Sequence, residues 1–273
     1  MLFILLLLIL FMLMILFLRK KRKIISLFTI FIFIFILFIV HIFNFGKLDL
    51  TVLANYLLNE EVNEEVWSVV KIKDSVLIDA PVIEQLPELP RGCEVTSLAM
   101  LLEHAGVKAD KMELAKEIKK DQTPFKYENG KVYFGNPYDG FVGDMYSYDH
   151  PGLGVYHGPV RELAEQYLPG KILDLTGAEF DVLKTALSSG HPVWVIINTA
   201  YKKLPEDYFQ TWHTPSGTIQ ITYKEHSVLV TGYDDQYIYF NDPLTGIKNK
   251  KAPVRDFKEA WEQMGSQAIT YYP

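Results

Sequence analysis

The chain has 273 residues, 49% hydrophobic and 14% aromatic, with a formal net charge of −6 at pH 7. Five of its 27 basic residues sit at 19–23, so residues 46–273 carry 22 basic against all 33 acidic residues, a formal net of −11. That balance argues against nucleic acid or anionic lipid headgroups as partners of this part, and a single cysteine excludes a disulfide framework within the chain.

The N-terminus is not soluble-domain sequence. Met1 to Leu18 is apolar without a break, Arg19-Lys-Lys-Arg-Lys23 follows, and Ile24 to Phe43 is apolar apart from Ser26, Thr29 and His41. About 20 apolar residues cross a hydrocarbon core as a helix. Residues 1–45 are therefore expected to be a membrane anchor, with one or two transmembrane helices around the basic cluster. A helical hairpin with its N-terminus outside fits, and so does a single signal-anchor starting near Met12 or Met14. In both, the positive-inside bias keeps 19–23 in the cytoplasm and sends the rest of the chain to the extracellular side of the cell membrane. An uncleaved anchor is favoured over a signal peptide, because the run is long for an h-region and no A-x-A-like site follows it. Residues 46–74 read as a stalk or linker, and 75–273 as one domain of ordinary size.

Within that domain, "SVLIDAPVIEQLPELPRG" (75–92) suggests a short strand and a proline-broken loop. Residues 93–105 set Val95, Leu98, Ala99, Leu101, Leu102 and Ala105 on one helical face, with Gly106 as C-cap. A second helix is expected over 109–121, its Lys-rich end suiting the C-terminal pole. The stretch 122–158, rich in Gly, Tyr, Asp and Pro, reads as irregular: either one wall of a groove or a packed excursion without a role. Helices are expected at 159–168 and 178–188, then a buried strand in "HPVWVIIN" (191–198) and an alternating strand in "TIQITYKE" (218–225). "HSVLVTGY" and "QYIYFND" form a hairpin, a helix covers 253–265, and a last strand covers 267–272. Helices first and an antiparallel sheet after them is the α+β pattern.

Cys93, the only cysteine, directly follows Gly92 at the start of its helix. Unpaired N–H groups and the helix dipole there favour a thiolate, so a lowered pKa is expected. A buried small hydrophobe is the bland alternative. A nucleophilic cysteine also needs a base. Of seven histidines, His104 lies about 16 Å down the same helix at 1.5 Å per residue, and His41 falls in the anchor. His150, His157, His191 and His213 fall in loops or turns. If the hairpin has a three-residue loop, Tyr233 to Asp235, then His226 faces Asp242 directly, with Cβ atoms about 5 Å apart. Asp242 would then fix the imidazole tautomer. A two-residue loop would put Pro243 there instead, and a hairpin end with a solvated His and Asp is the alternative. No metal or other cofactor is expected: one cysteine cannot build a thiolate site, and His and acidic residues do not recur at ligand spacing.

"GCEVTSLAMLL" (92–102) and "EHSVLVTGYDD…YIYFNDPLTG" (225–246) together resemble the papain-like cysteine peptidases related to the double-glycine leader peptidases of bacteriocin exporters. The likeness is to their stand-alone, exported bacterial relatives. "GNPYDGFVGDM" and "LTGAEFDVLKTALSSGHPVWV" belong to the same resemblance, which covers residues 76–272. It implies a papain-like α+β fold, with Cys93 as nucleophile, His226 as general base and acid, and Asp242 orienting the histidine. The family's oxyanion-hole glutamine, a few residues before the cysteine, is carried over to Gln85 eight residues upstream, with Gln122 a weaker candidate and the Cys93 N–H as second donor. No transporter domain accompanies these motifs, so the double-glycine substrate is not carried over. Three activities remain open: a peptidase acting on peptide or protein substrates, a cell-wall amidase or acyl transferase with the same triad, and a non-catalytic binding module.

Overall fold

The structure is a computed structural model that describes residues 71–272. The expected anchor at 1–45 and residues 46–70 of the expected stalk lie outside the described residues. Among the described residues no helix is long and apolar enough to cross a membrane.

β1 (Val76–Leu77) leads through the proline-broken loop to α1 (Cys93–His104). α1 is buried at ten of its twelve positions, from Cys93 to Leu102, so it is a central helix wrapped on every side rather than one with a single apolar face. It stops where Gly106 takes φ +81° and its N–H bonds the Glu103 carbonyl, a left-handed residue that glycine adopts without a Cβ penalty. α2 (Lys111–Glu117) starts on Asp110, whose carboxylate accepts the Met112 and Glu113 N–H groups. It is shorter than the expected 109–121, because Ile118 turns extended and β2 (Lys120–Asp121) pairs in parallel with β5 (Phe141–Val142).

The stretch expected to be irregular is partly regular. β3 (Lys126–Glu128) and β4 (Lys131–Tyr133) form a hairpin around Asn129-Gly130, both at positive φ, the dipeptide that a two-residue turn of this hand selects. After α3 (His157–Tyr167), β6 (Ile172–Asp174), α4 (Phe180–Ser188) and β7 (Val193–Asn198), the chain makes β8 (Gln210–Thr214) and β9 (Gly217–Ile221). These join the earlier hairpin as a four-stranded sheet, β3-β4-β8-β9, with β4 and β8 parallel. "TWHTPSG", expected to be a turn, is thus a strand up to Thr214.

The domain's core sheet completes with β10 (Glu225–Tyr233), β11 (Tyr237–Asp242), β12 (Ile247–Pro253) and, after α5 (Val254–Gln263), β13 (Ala268–Tyr271). It is seven-stranded and antiparallel, in the order β12-β11-β10-β7-β13-β6, with β1 paired to the far end of β10. β7 is buried at all six positions, as a strand covered on both faces must be. The Trp194 indole reaches the Glu94 carbonyl of α1 at 3.0 Å, while Phe257 and Trp261 of α5 are sealed in the same core. The expected α+β architecture is the observed one.

Candidate active site

Cys93 opens α1 and is 6% exposed. Gly92 before it must be glycine for packing reasons, since a Cβ there would stand 2.5 Å from the Leu89 Cβ. The Ser97 hydroxyl, one turn on, donates to the Ser227 carbonyl at 3.1 Å and ties α1 to β10 at the residue after His226. His226 therefore comes to the start of α1, and it lines one cavity of about 300 Å³ together with Cys93 and Gln85. Among the described residues it is the histidine on that cavity. His104 instead meets the Tyr271 hydroxyl at 2.8 Å, His157 meets Asp174 at 2.9 Å, and His213 stacks on Tyr133.

His226 Nε2 lies 2.8 Å from Asp242 Oδ1, with both residues buried. The contact is the expected one, but the register is not. Tyr233 pairs with Ile238, a bulge at Thr231 shifts the ladder, and Leu229 pairs with Asn241. Continuing that register sets Val228 opposite Asp242, so His226 is its diagonal neighbour on the same face rather than its direct partner. The turn is closed by the Asp234 N–H on the Tyr237 carbonyl, not by a loop of Tyr233 to Asp235. Asp242 Oδ2 also accepts from the Tyr201 hydroxyl, the Thr245 hydroxyl and the Lys250 ammonium, each at 2.8 Å. Burial opposes its charge, yet His226, Lys250 and Thr245 together hold its carboxyl well below the usual range.

The thiol departs from expectation. Cys93 Sγ donates to Glu94 Oε2 at 3.3 Å. Burial first, then the charges of Glu94 and Glu225, raise its pKa well above the ordinary value, against one lowering contact from the Ser227 backbone. The helix start alone favours a thiolate, but two carboxyls a few ångströms away outweigh a half-charge dipole. Gln85 is 2% exposed, and its amide nitrogen donates to the Leu89 and Pro90 carbonyls at 3.2 and 3.0 Å. Gln122 lines a different hollow, with Phe125 and His150. Sequence reasoning missed Glu94, Glu225, Tyr201 and Lys250. A signal for the first two was present, since each candidate reactive residue has a glutamate beside it in the chain: Cys93-Glu94 and Glu225-His226.

Residues 77–269 match the model of the Peptidase_C39 like family. The uncharacterized protein YvpB of Bacillus subtilis (strain 168) is 51% identical over 183 residues, which is 67% of this chain and 70% of that protein. A crystal structure from Bacillus anthracis, provisionally described as a C39-like peptidase, superposes with a TM-score of 0.69 at 47% identity, covering 74% of this chain and 98% of that one. The family match spans the helix and the strands that carry the cavity, and the chain belongs to the Peptidase_C39 like family.

Proposed function

We propose that the protein is a cysteine peptidase, anchored in the cell membrane by residues 1–45, with its catalytic domain on the extracellular side. The observation that carries the reading is the meeting of Cys93 and His226 on one cavity, with Asp242 hydrogen-bonded behind the imidazole at 2.8 Å. Asp242 occupies Nε2 and leaves Nδ1 as the free nitrogen. Nδ1 takes the thiol proton as sulfur attacks the peptide carbonyl carbon, then delivers it to the departing amine as the C–N bond breaks. Water next attacks the thioester, losing its proton to His226, and the acid leaves as the thiol re-forms. The Cys93 backbone N–H, one of the helix-start donors without an intrahelical acceptor, is placed to receive the oxyanion. Gln85 would join it only by giving up one of its two carbonyl partners. The basic cluster at 19–23 between two apolar runs supports the outward topology.

The test is to compare peptides released at the surface of cells carrying the wild type or Cys93→Ala. Products present only with the wild type are expected, and identical sets would overturn the peptidase reading in favour of a binding module. Protease added to intact cells should degrade the domain, whereas full protection would overturn the topology.

A further inference from the structure

The cavity holds a carboxyl pair that the reaction above does not use. Cys93 Sγ and one oxygen each from Glu94 and Glu225 lie within 4.8 Å of one another. Gly154 makes room for the pair, since a Cβ there would stand 2.1 Å from Glu94 Oε1 and 2.8 Å from Glu225 Oε2. The nearby cations are committed elsewhere. Arg91 stacks 4.8 Å over the Tyr148 ring and donates to the Asp144 and Ser147 carbonyls. Lys250 and His226 both serve Asp242. Tyr156, which feels both carboxyls, is itself kept neutral by burial and by Glu225.

Glu94 is fully satisfied, by the Cys93 thiol and by the Val155 N–H at 2.7 Å. Glu225 is not: the residue is partly exposed on the cavity, yet its Oε1 is sealed from solvent and has no partner among the described residues. Gln85 lines the same cavity, is 2% exposed, and its Oε1 likewise has no partner among the described residues. The Gln85 Oε1 is an acceptor, and Glu225 Oε1 is one whenever its carboxyl is ionised; leaving a buried acceptor unpaired is costly. A ligand group that suits the cavity wall where Glu225 is partly exposed brings N–H donors, and one with a positive charge also answers the carboxyls.

We propose that Glu225, backed by Glu94, forms a subsite for a cationic group of the substrate, a primary ammonium or guanidinium, beside the carbonyl that Cys93 attacks. This rests on the peptidase reading of Cys93 and adds a substrate class to it. Burial and the charge of Glu94 hold Glu225 protonated well above the usual range, and burial pushes Glu94 up to about 7. A bound cation neutralises the carboxylates whose charge raises the thiol, so the group that selects the substrate favours its attack.

Cys93 is the only cysteine, so its modification can be followed in the full chain, in detergent micelles with a chelator present. The probes are aminoethyl, ethyl and sulfonatoethyl methanethiosulfonate, which are cationic, neutral and anionic. The cationic-to-neutral rate ratio at Cys93 is expected to exceed that of 2-mercaptoethanol about tenfold, as one well-placed charge contact would give, and Glu225→Gln should bring it back. A wild-type ratio equal to that of 2-mercaptoethanol overturns the subsite, whether or not the variant folds. Paired peptides with lysine or norleucine at one position supply the second readout. Preferred cleavage of the lysine peptide by the wild type, lost in Glu225→Gln, supports the subsite, and equal cleavage of both overturns it. If neither is cleaved while the labelling ratio holds, the peptidase reading fails and the cationic subsite stands.

Discussion

Replacing Glu94 by glutamine should change how stability depends on pH, and in a direction opposite to most acidic residues. Glu94 is wholly buried, and burial raises its pKa from the ordinary 4.5 to about 7. The folded chain then keeps a proton that the unfolded chain releases. The group's contribution is fully present below pH 4.5 and is lost as pH rises through about 7. At 1.36 kcal/mol per unit, the loss is about 3 kcal/mol. Glutamine has nearly the same shape and still accepts the Val155 N–H, but it has no proton to lose. Glu94→Gln should therefore match the wild type near pH 4.5 and exceed it by up to about 3 kcal/mol at pH 8. Urea unfolding of a 71–273 fragment, which contains the whole family match at 77–269, measures this at the two pH values. Asp242, Asp174 and Asp121, whose carboxyls are lowered, add slopes of the other sign, and these cancel in the variant-minus-wild-type difference. A difference that stays constant with pH would refute the reasoning.

Asp242→Asn should lower turnover by about 10²–10⁴-fold through loss of the group that orients the imidazole, whereas Asp235→Asn, exposed at the hairpin turn, should leave it unchanged; peptide-cleavage kinetics decide. Trp194→Ala removes a fully buried side chain and its N–H bond to the Glu94 carbonyl, and should cost about 3–5 kcal/mol in urea unfolding. Gly154→Ala forces a methyl group onto Glu94 Oε1. It should destabilise by about 1–3 kcal/mol and move the midpoint of Cys93 alkylation against pH downward, as the thiol loses its carboxylate neighbour.

Much of the helical part was legible because local signals and burial agree. α1 begins at Cys93, where Gly92 gives way to apolar residues, and ends one residue short of the expected 105. α5 was equally readable from "PVRDFKEAWEQMG". β12 was missed, because "IKNKKAP" is too polar to announce a strand that only β11 defines. The β3–β4 hairpin carried its Asn129-Gly130 turn in plain view, but short exposed strands around it lack alternation. In the site, proximity of His226 to Asp242 followed from the hairpin, whereas its register depended on a bulge at Thr231 that no local pattern marks. The direction of the Cys93 shift was illegible for a different reason. Glu225 lies 132 positions away in the sequence, and the burial that gives both carboxylates their force exists only once β10 packs on α1.

The bonds from Ser97 to Ser227 and from Trp194 to Glu94 fasten the sulfur-bearing helix to the imidazole-bearing sheet at two points. A cleft whose opposing walls are bolted together in this way has no hinge between its reactive groups, unlike one that opens between mobile lobes. Variation in what such a cleft accepts must then accumulate in the loops at the mouth, around Tyr148, Tyr223 and Leu244. Grafting those segments between relatives should transfer preference without disturbing the chemistry beneath.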